Sequence, residues 1–201
     1  MNSPLFIETI RFADGQWSNL AFHNARLNHT RRACLGAADK WDLSRLLSAP
    51  QGISEGIYKC RVTYGEAIEK VEFERYQPRL VTSLRLVEED AVVYDFKFQN
   101  RTVLNRLFEK KGNADDVLII KEGFITDTSY ANAVFWNGRD WLTPHTPLLK
   151  GTRRAQLLQE GLIKEQEIRA QDLIKYTHAR LINAMLDFET TPLIDVQQIG
   201  F

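Results

Sequence analysis

The chain has 201 residues, 44% of them hydrophobic, with 26 Lys or Arg, 26 Asp or Glu, 11 Gly and 6 Pro. These proportions exclude a disordered or collagen-like chain and supply enough apolar material for a sizeable core without structural metals or disulfides. A formal net charge of zero gives no whole-molecule field for a phosphate backbone, and no apolar run approaches the roughly 20 residues of a membrane-spanning helix, so neither nucleic acid nor a membrane is expected as a partner.

In chain order, residues 6–12 read as a strand running into an Ala13-Asp14-Gly15 turn. A helix follows, with Asn19 as its cap, Leu20, His23, Leu27 and Cys34 on its inner face and Gly36 as its stop. A second helix is expected over 42–47. Residues 56–64 and 68–76 form a hairpin across Gly65-Glu66-Ala67, and Gln77-Pro78-Arg79 then breaks the pattern. The expected division is a small α/β domain over 1–76, a linker over 77–83 and a larger domain over 84–201.

The larger domain reads as strands at 84–86 and 92–98, then a helix over 102–111 with Val103, Leu104, Leu107 and Phe108 at helical spacing and Gly112 as its stop. Hairpins follow at 117–126, around Lys121-Glu122-Gly123, and at 133–143, around Asn137-Gly138. Helices over 152–160 and 172–178 and a strand over 180–185 complete a mixed α+β chain without internal repeats. Cys34 and Cys60 are the only cysteines and form no CxxC pair, and the N-terminal residues carry no leader pattern, which points to a reducing cytoplasm.

Several residues carry potential chemistry. In the expected strand at 92–98, alternation places Val93, Asp95 and Lys97 on one face. Taken alone Lys97 reads as solvent-facing, yet a partly desolvated lysine amine is the nucleophile that imine chemistry needs. Asp127, at the end of a strand, is either a turn residue or a fixed carboxylate that partners a protonated ring nitrogen. Gly151-Thr152-Arg153-Arg154 opens a helix, where backbone N–H groups, a hydroxyl and guanidinium groups can hold one phosphate; a plain helix cap is the alternative. Arg26 reads as surface charge on its own, and His23 as a packed side chain. His23, His29, His145 and His178 show no metal-ligand spacing, and no Gly-x-Ser-x-Gly or Walker-type run is present.

Taken in order, these segments resemble the class IV aminotransferases, the fold-type IV pyridoxal-phosphate enzymes that include 4-amino-4-deoxychorismate lyase and branched-chain and D-amino acid transaminases. Phe6-Ile7-Glu8-Thr9-Ile10-Arg11 is similar to the family's Phe-Glu-Thr-Ile-Arg strand, and His23-Asn24-Ala25-Arg26-Leu27 to its His-Leu-x-Arg-Leu helix. Lys97-Phe98-Gln99-Asn100-Arg101 resembles the Lys-x-x-Asn-Arg segment, closest to the lyase branch. Ile125 to Asn132 resembles Val-Thr-Glu-x-x-x-x-Asn, and Gly151 to Arg154 the Gly-Thr-Thr-Arg loop. Leu181-Ile182-Asn183-Ala184-Met185 looks like the family's late pocket strand, and the likeness spans about residues 5–199.

The resemblance implies a two-domain fold-type IV architecture, with a small α/β N-terminal domain and a larger β-barrel-like C-terminal domain, and pyridoxal 5'-phosphate as cofactor. It implies Lys97 as the catalytic lysine that holds the cofactor as an imine, Asp127 at the ring nitrogen, and Arg26, Thr152 and Arg153 at the phosphate, with Arg101 near the 3'-oxygen. A small-molecule amino substrate and a homodimer come with it. The expected activity is a 4-amino-4-deoxychorismate lyase-like reaction giving 4-aminobenzoate and pyruvate. The alternatives are a transaminase of branched-chain or D-amino acids and a non-catalytic cofactor- or protein-binding relative. Asp127 stands where the family usually has glutamate, Arg153 where it usually has threonine, and the strands that precede Phe-Glu-Thr in longer relatives are missing.

Overall fold

The computed structural model describes residues 3–53 and 55–201. It divides into two compact units, the first reaching to Pro78 and including Phe96–Asn100, the second formed by Arg79–Asp95 and Arg101–Phe201.

In the first unit, β1 (Phe6–Ala13), β2 (Gln16–Trp17), β3 (Ile57–Tyr64) and β4 (Ile68–Arg75) form an antiparallel sheet in the order β2-β1-β3-β4. Alternation along β1 sends Phe6, Glu8 and Ile10 to one face. The register pairs Phe6 with Tyr64 and Ile10 with Cys60, so these side chains meet Val62, Leu27, Leu43 and Leu47 in one buried cluster. The helix α1 (Leu20–Leu35) stops at Gly36, whose φ of +66° suits a residue without a Cβ and whose N–H donates to Arg31 O. Asn19 precedes α1 but its side chain does not cap it. At φ +60° its backbone is left-handed rather than in the extended form from which a side-chain oxygen reaches the first turn. The short α2 (Leu43–Leu46) lies within the helix expected over 42–47 and is capped by Asp42, which accepts from the Ser44 N–H.

The segment around Lys97 differs from expectation in two ways. It is not a strand: the Phe98 N–H donates to Phe96 O at 2.8 Å, closing a three-residue turn about Lys97, and its ladder contact is the single bridge Phe6↔Phe98. It also belongs to the first unit rather than the larger second one. The Ile7 N–H donates to Lys97 O at 2.9 Å, the Gln99 N–H donates to Leu5 O at 2.8 Å, and the Phe98 ring lies 5.1 Å from that of Phe6. Aromatic burial and two backbone bonds decide where the segment docks, and period-2 patterning does not register that competition.

The second unit is a nine-stranded sheet whose main order is β10-β9-β8-β7-β6-β5-β13, comprising β5 (Leu84–Glu88), β6 (Asp116–Lys121), β7 (Phe124–Thr128), β8 (Asn132–Trp136), β9 (Trp141–Pro144), β10 (Lys164–Gln166) and β13 (Ile199–Gly200). Off this path β11 (His178–Ile182) pairs with β8 and β12 (Ile194–Asp195). Strand β8 is buried on both faces. Ala133 and Phe135 join Leu118, Ile120, Ile125 and Leu181 in the main core, while Val134 and Ile182 pack with Leu157 of α4 (Thr152–Gln159) on the other side. The helix α3 (Thr102–Glu109) lies against β6, burying Leu104 and Leu107. The α+β class and the fold-type IV architecture hold.

Local corrections concern the C-terminal third. The helix expected over 172–178 is a 3-10 helix at Ala170–Lys175, opened by the Arg169 N–H donating to Asp172 Oδ2 at 3.1 Å. The strand expected over 180–185 is β11, which ends at Ile182 because the Asn183 side chain accepts from the Met185 and Leu186 N–H groups and turns the chain. The β6–β7 hairpin contains Glu122 at φ +53° followed by Gly123 at φ +79°, both in the left-handed region that a two-residue hairpin turn requires. Glutamate is a poor occupant there and asparagine a tolerated one. Glu122→Asn is therefore expected to raise stability by about 0.5 kcal/mol, read as a higher urea midpoint at unchanged slope. A lower midpoint would show that the turn does not constrain this residue.

Candidate active site

The first unit places one acid among apolar neighbours. Glu8 shares its face of β1 with Phe6 and Ile10 and is 0% exposed. A carboxylate there must be held by donors, and α1 supplies them from His23 and Arg26, which are one turn apart on one helix face. Arg26 donates from Nε to Glu8 Oε1 at 2.9 Å and from Nη2 to Oε2 at 2.5 Å, and His23 Nδ1 lies 2.6 Å from Oε2.

Burial alone would raise the Glu8 pKa, but the Arg26 charge and the His23 and Arg26 hydrogen bonds outweigh it and hold the carboxyl at about 2. His23 is driven the other way. Burial, with the Arg26 and Lys97 charges, outweighs the pull of Glu8 and lowers its pKa, so the ring is neutral near pH 7. Because ionised Glu8 only accepts, the His23 proton sits on Nδ1. Lys97 is half-buried, and its field reaches this cluster.

The second unit builds a matching acid at a hairpin. The Thr128 N–H donates to Ala131 O at 2.9 Å and the Ala131 N–H donates to Thr128 Oγ1 at 3.1 Å, closing a tight turn that sets Asp127 opposite Asn132. Asn132 Nδ2 donates to Asp127 Oδ1 at 2.7 Å, and the Leu149 N–H donates to Asp127 Oδ2 at 2.9 Å. Burial of Asp127 raises its pKa to about 6 against these bonds and the Arg154 charge. No Lys, Arg or His forms an ion pair with it among the described residues.

Arg101, just before α3, donates from Nη2 to Ser129 O at 2.6 Å and is thereby tied to the same turn. Thr152 is buried at the first position of α4. Arg153 donates from Nη1 to Gln156 Oε1 at 2.7 Å, and its buried Nε has no partner. Arg154 is committed to structure, donating to Pro144 O at 2.8 Å and Glu165 Oε1 at 2.7 Å.

Among the six residues singled out from sequence, Arg26 and Lys97 fall in the first unit and Arg101, Asp127, Thr152 and Arg153 in the second. Sequence reading passed over Glu8, His23 and Asn132 as site residues. Their signals were an acid alternating with Phe6, Ile10 and Phe12, a histidine three residues before Arg26, and an amide placed by the hairpin turn opposite Asp127. Among the described residues no group of His, Cys, Asp and Glu side chains is placed to hold a metal ion.

The residues present fit pyridoxal phosphate on their own chemistry. Asp127 is a buried carboxyl that a protonated ring nitrogen would partner, Arg153 brings a guanidinium to the start of α4, and among the described residues no side chain hydrogen-bonds as a cap there.

Comparison with known proteins agrees with that chemistry. The sequence profile of the family "Amino-transferase class IV" matches residues 5–189. An uncharacterized protein of Haemophilus influenzae is 34% identical over 184 residues, covering 90% of this chain and 97% of that one. The crystal structure of a candidate 4-amino-4-deoxychorismate lyase from Haemophilus somnus 129PT is similar, with a TM-score of 0.86 and 33% identity over 92% of this chain and 98% of that chain. A candidate amino-acid aminotransferase from Mesorhizobium loti gives a TM-score of 0.77 at 25% identity, over 95% and 97% of the two chains. A hypothetical aminotransferase from Mycobacterium tuberculosis in its PLP-bound form shares the fold, with a TM-score of 0.76 at 17% identity over 96% of this chain and 80% of that one.

The two buried acids act on stability in opposite pH windows. Glu8 is shifted below its ordinary value of 4.5, so its contribution is full above 4.5 and is lost as pH falls toward about 2. Asp127 is shifted above its ordinary 3.8, so its contribution is full below 3.8 and is lost as pH rises through about 6. Each is worth about 3 kcal/mol. Urea unfolding without added cofactor, compared between parent and variant at each pH, should show Asp127→Asn losing a contribution that grows from pH 6 to 4 and Glu8→Gln losing one that shrinks below pH 4.5; His23, Asp39, Asp42 and Asp115 also have lowered pKa values and add to the acid-side fall in parent and variants alike. A variant whose difference from the parent does not change over its own window would reject that assignment.

Proposed function

The chain belongs to the class IV aminotransferase family, and on that premise we propose that it is a pyridoxal-phosphate enzyme acting on a small amino-bearing substrate, a lyase of the 4-amino-4-deoxychorismate kind. The observation that carries the cofactor reading is Asp127, a fully buried carboxyl with two donors, a raised pKa and no cation paired with it. A pyridinium N–H is a cation that would bring its pKa back toward the ordinary carboxylate range. The lyase reading rests on the Lys97 to Arg101 segment and on the likeness to the Haemophilus somnus protein.

Pyridoxal phosphate supplies an electrophilic carbon for the substrate amine and a ring that accepts electrons. The chain does the rest. Lys97 Nζ would hold the cofactor and carry a proton as base and acid. Asp127 would partner the ring nitrogen and keep it protonated. Arg26, fixed by its fork on Glu8, and Thr152 and Arg153 with the backbone at the start of α4 would bind the phosphate. Arg101, held by Ser129 O, would serve the 3'-oxygen.

The reading brings two further expectations. The protein is a homodimer in this reading, so light scattering should give twice the chain mass; a monomer would remove this part. It resides in the cytoplasm, in keeping with its two free cysteines and with the lack, among the described residues, of a helix long and apolar enough to cross a membrane. A secreted or membrane-bound fraction on cell fractionation would reject that location.

The test of function has two stages. Borohydride reduction with pyridoxal phosphate, followed by peptide mass mapping, should place the adduct on Lys97, and Lys97→Ala should take up none and lose activity at least about a thousandfold. With 4-amino-4-deoxychorismate, 4-aminobenzoate and pyruvate should form without any keto acid. Turnover that requires a keto acid and yields no pyruvate would assign a transaminase instead, and the absence of an adduct would reject the enzyme reading.

A further inference from the structure

Asn132 is 6% exposed, and its carboxamide is committed on both sides. Its two Nδ2 hydrogens go to Asp127 Oδ1 at 2.7 Å and to Leu149 O at 2.8 Å. Its Oδ1 occupies the space beside Gly151 where a Cβ would lie. Gly151 itself has φ −66° and ψ 145°, a backbone that any residue adopts, so the neighbouring carboxamide rather than the backbone requires glycine there. Leu149 closes the ring by donating its N–H to Asp127 Oδ2. One amide thus ties three things inside the second unit: the Asp127 carboxylate, the peptide of Leu149, and the glycine that opens α4.

We propose that Asn132 is a positioning residue for the cofactor reaction, fixing the Asp127 carboxylate and the peptide entering α4 as one rigid piece, and that Gly151 is kept free of a side chain to admit that carboxamide. The inference rests on the pyridoxal-phosphate reading above. Its physical basis is the shortness of Asp127. A carboxylate one methylene shorter than the family's usual glutamate has fewer rotamers with which to find its partner, and a fixed donor on Oδ1 and another on Oδ2 set its plane. The same amide sets the distance from that plane to Thr152 and Arg153.

The test reads Asp127 directly. In the full chain, carbon-13 labelling of aspartate side chains gives a carboxyl resonance for Asp127, identified by its loss in Asp127→Asn. The other groups that act on this carboxyl are the Leu148 and Leu149 N–H groups and the Arg154 guanidinium of α4. Asn132→Ala should move its titration midpoint upward by about one pH unit, the effect of losing a hydrogen bond to a charged acceptor. Gly151→Ala, which removes no group that touches Asp127, should move it the same way by displacing the carboxamide. In the Asn132→Ala background Gly151→Ala should add nothing, since the clash is gone.

An unmoved midpoint in Asn132→Ala, or a Gly151→Ala effect that adds in full to it, overturns the proposal. Circular dichroism and melting curves check that each variant folds, and Gly151→Ala alone decides the matter where Asn132→Ala does not. Pyridoxal phosphate titrated into the same proteins should bind Asn132→Ala about tenfold more weakly than the parent. Failure of the parent to bind it rejects the cofactor reading while the Asp127 titration still stands. Normal binding with an unmoved titration rejects the positioning role alone.

Discussion

A carboxylate removed from water keeps its charge only if the fold aims donors at it, and both units of this protein are organised around one such carboxylate. In the first unit Glu8 sits among Phe6 and Ile10 on a strand that is otherwise a core strand. The cost of burying it is offset by a guanidinium fork and a neutral imidazole from a single face of α1. The consequence is directional: Arg26 is rigid because Glu8 holds two of its nitrogens. Arg26 is 13% exposed at its side chain while Glu8 is entirely buried, so the arginine is the outer member of the pair.

The second unit meets the same constraint without a cation. Asp127 receives one amide hydrogen from Asn132 and one from the Leu149 backbone, and these do not suffice to hold it ionised in the usual carboxylate range. Glu8 and Asp127 are buried alike, yet one titrates at about 2 and the other at about 6. The difference lies in charge compensation. An arginine neutralises Glu8 at contact distance, whereas Arg154, the charged side chain that acts on Asp127, is itself spent on Glu165. Asp127 is thereby left short of positive charge where Glu8 is not.

Much of the fold was legible because local rules and tertiary burial agree there. The β6–β7 and β8–β9 hairpins and the stop of α1 at Gly36 follow from turn and capping chemistry within a few residues. The Lys97 segment was misread because its apolar and aromatic residues alternate like a strand, while Phe96 and Phe98 are drawn to the Phe6 ring and the intervening turn breaks the ladder. The parallel pairing of β13 with β5 joins residues more than a hundred positions apart and leaves no local trace. For the candidate site, ordered motifs singled out Arg26, Lys97, Asp127 and the start of α4, each by residue type. The sequence did not disclose which partner each would have, because Glu8 faces His23 only once β1 and α1 pack, and Asn132 reaches Leu149 only once β8 and the β9–α4 connection lie side by side.

The two departures from the family pattern are best understood together. Aspartate at 127 shortens the reach of the acid, and arginine at 153 lengthens the reach of a side chain at the start of α4 and adds a positive charge there. Asp127 lies one amide away from the loop that carries Arg153, because Asn132 donates to both Asp127 and the Leu149 carbonyl. A change in the length of one side chain is therefore transmitted to the other end of the same bonded ring rather than absorbed by rotation. Arg153 spends Nη1 on Gln156 of its own helix. Acid and base therefore stand at the two ends of one bonded piece: Asp127 is fixed by Asn132 and the Leu149 N–H, and Arg153 leans on Gln156 of the helix that this piece opens.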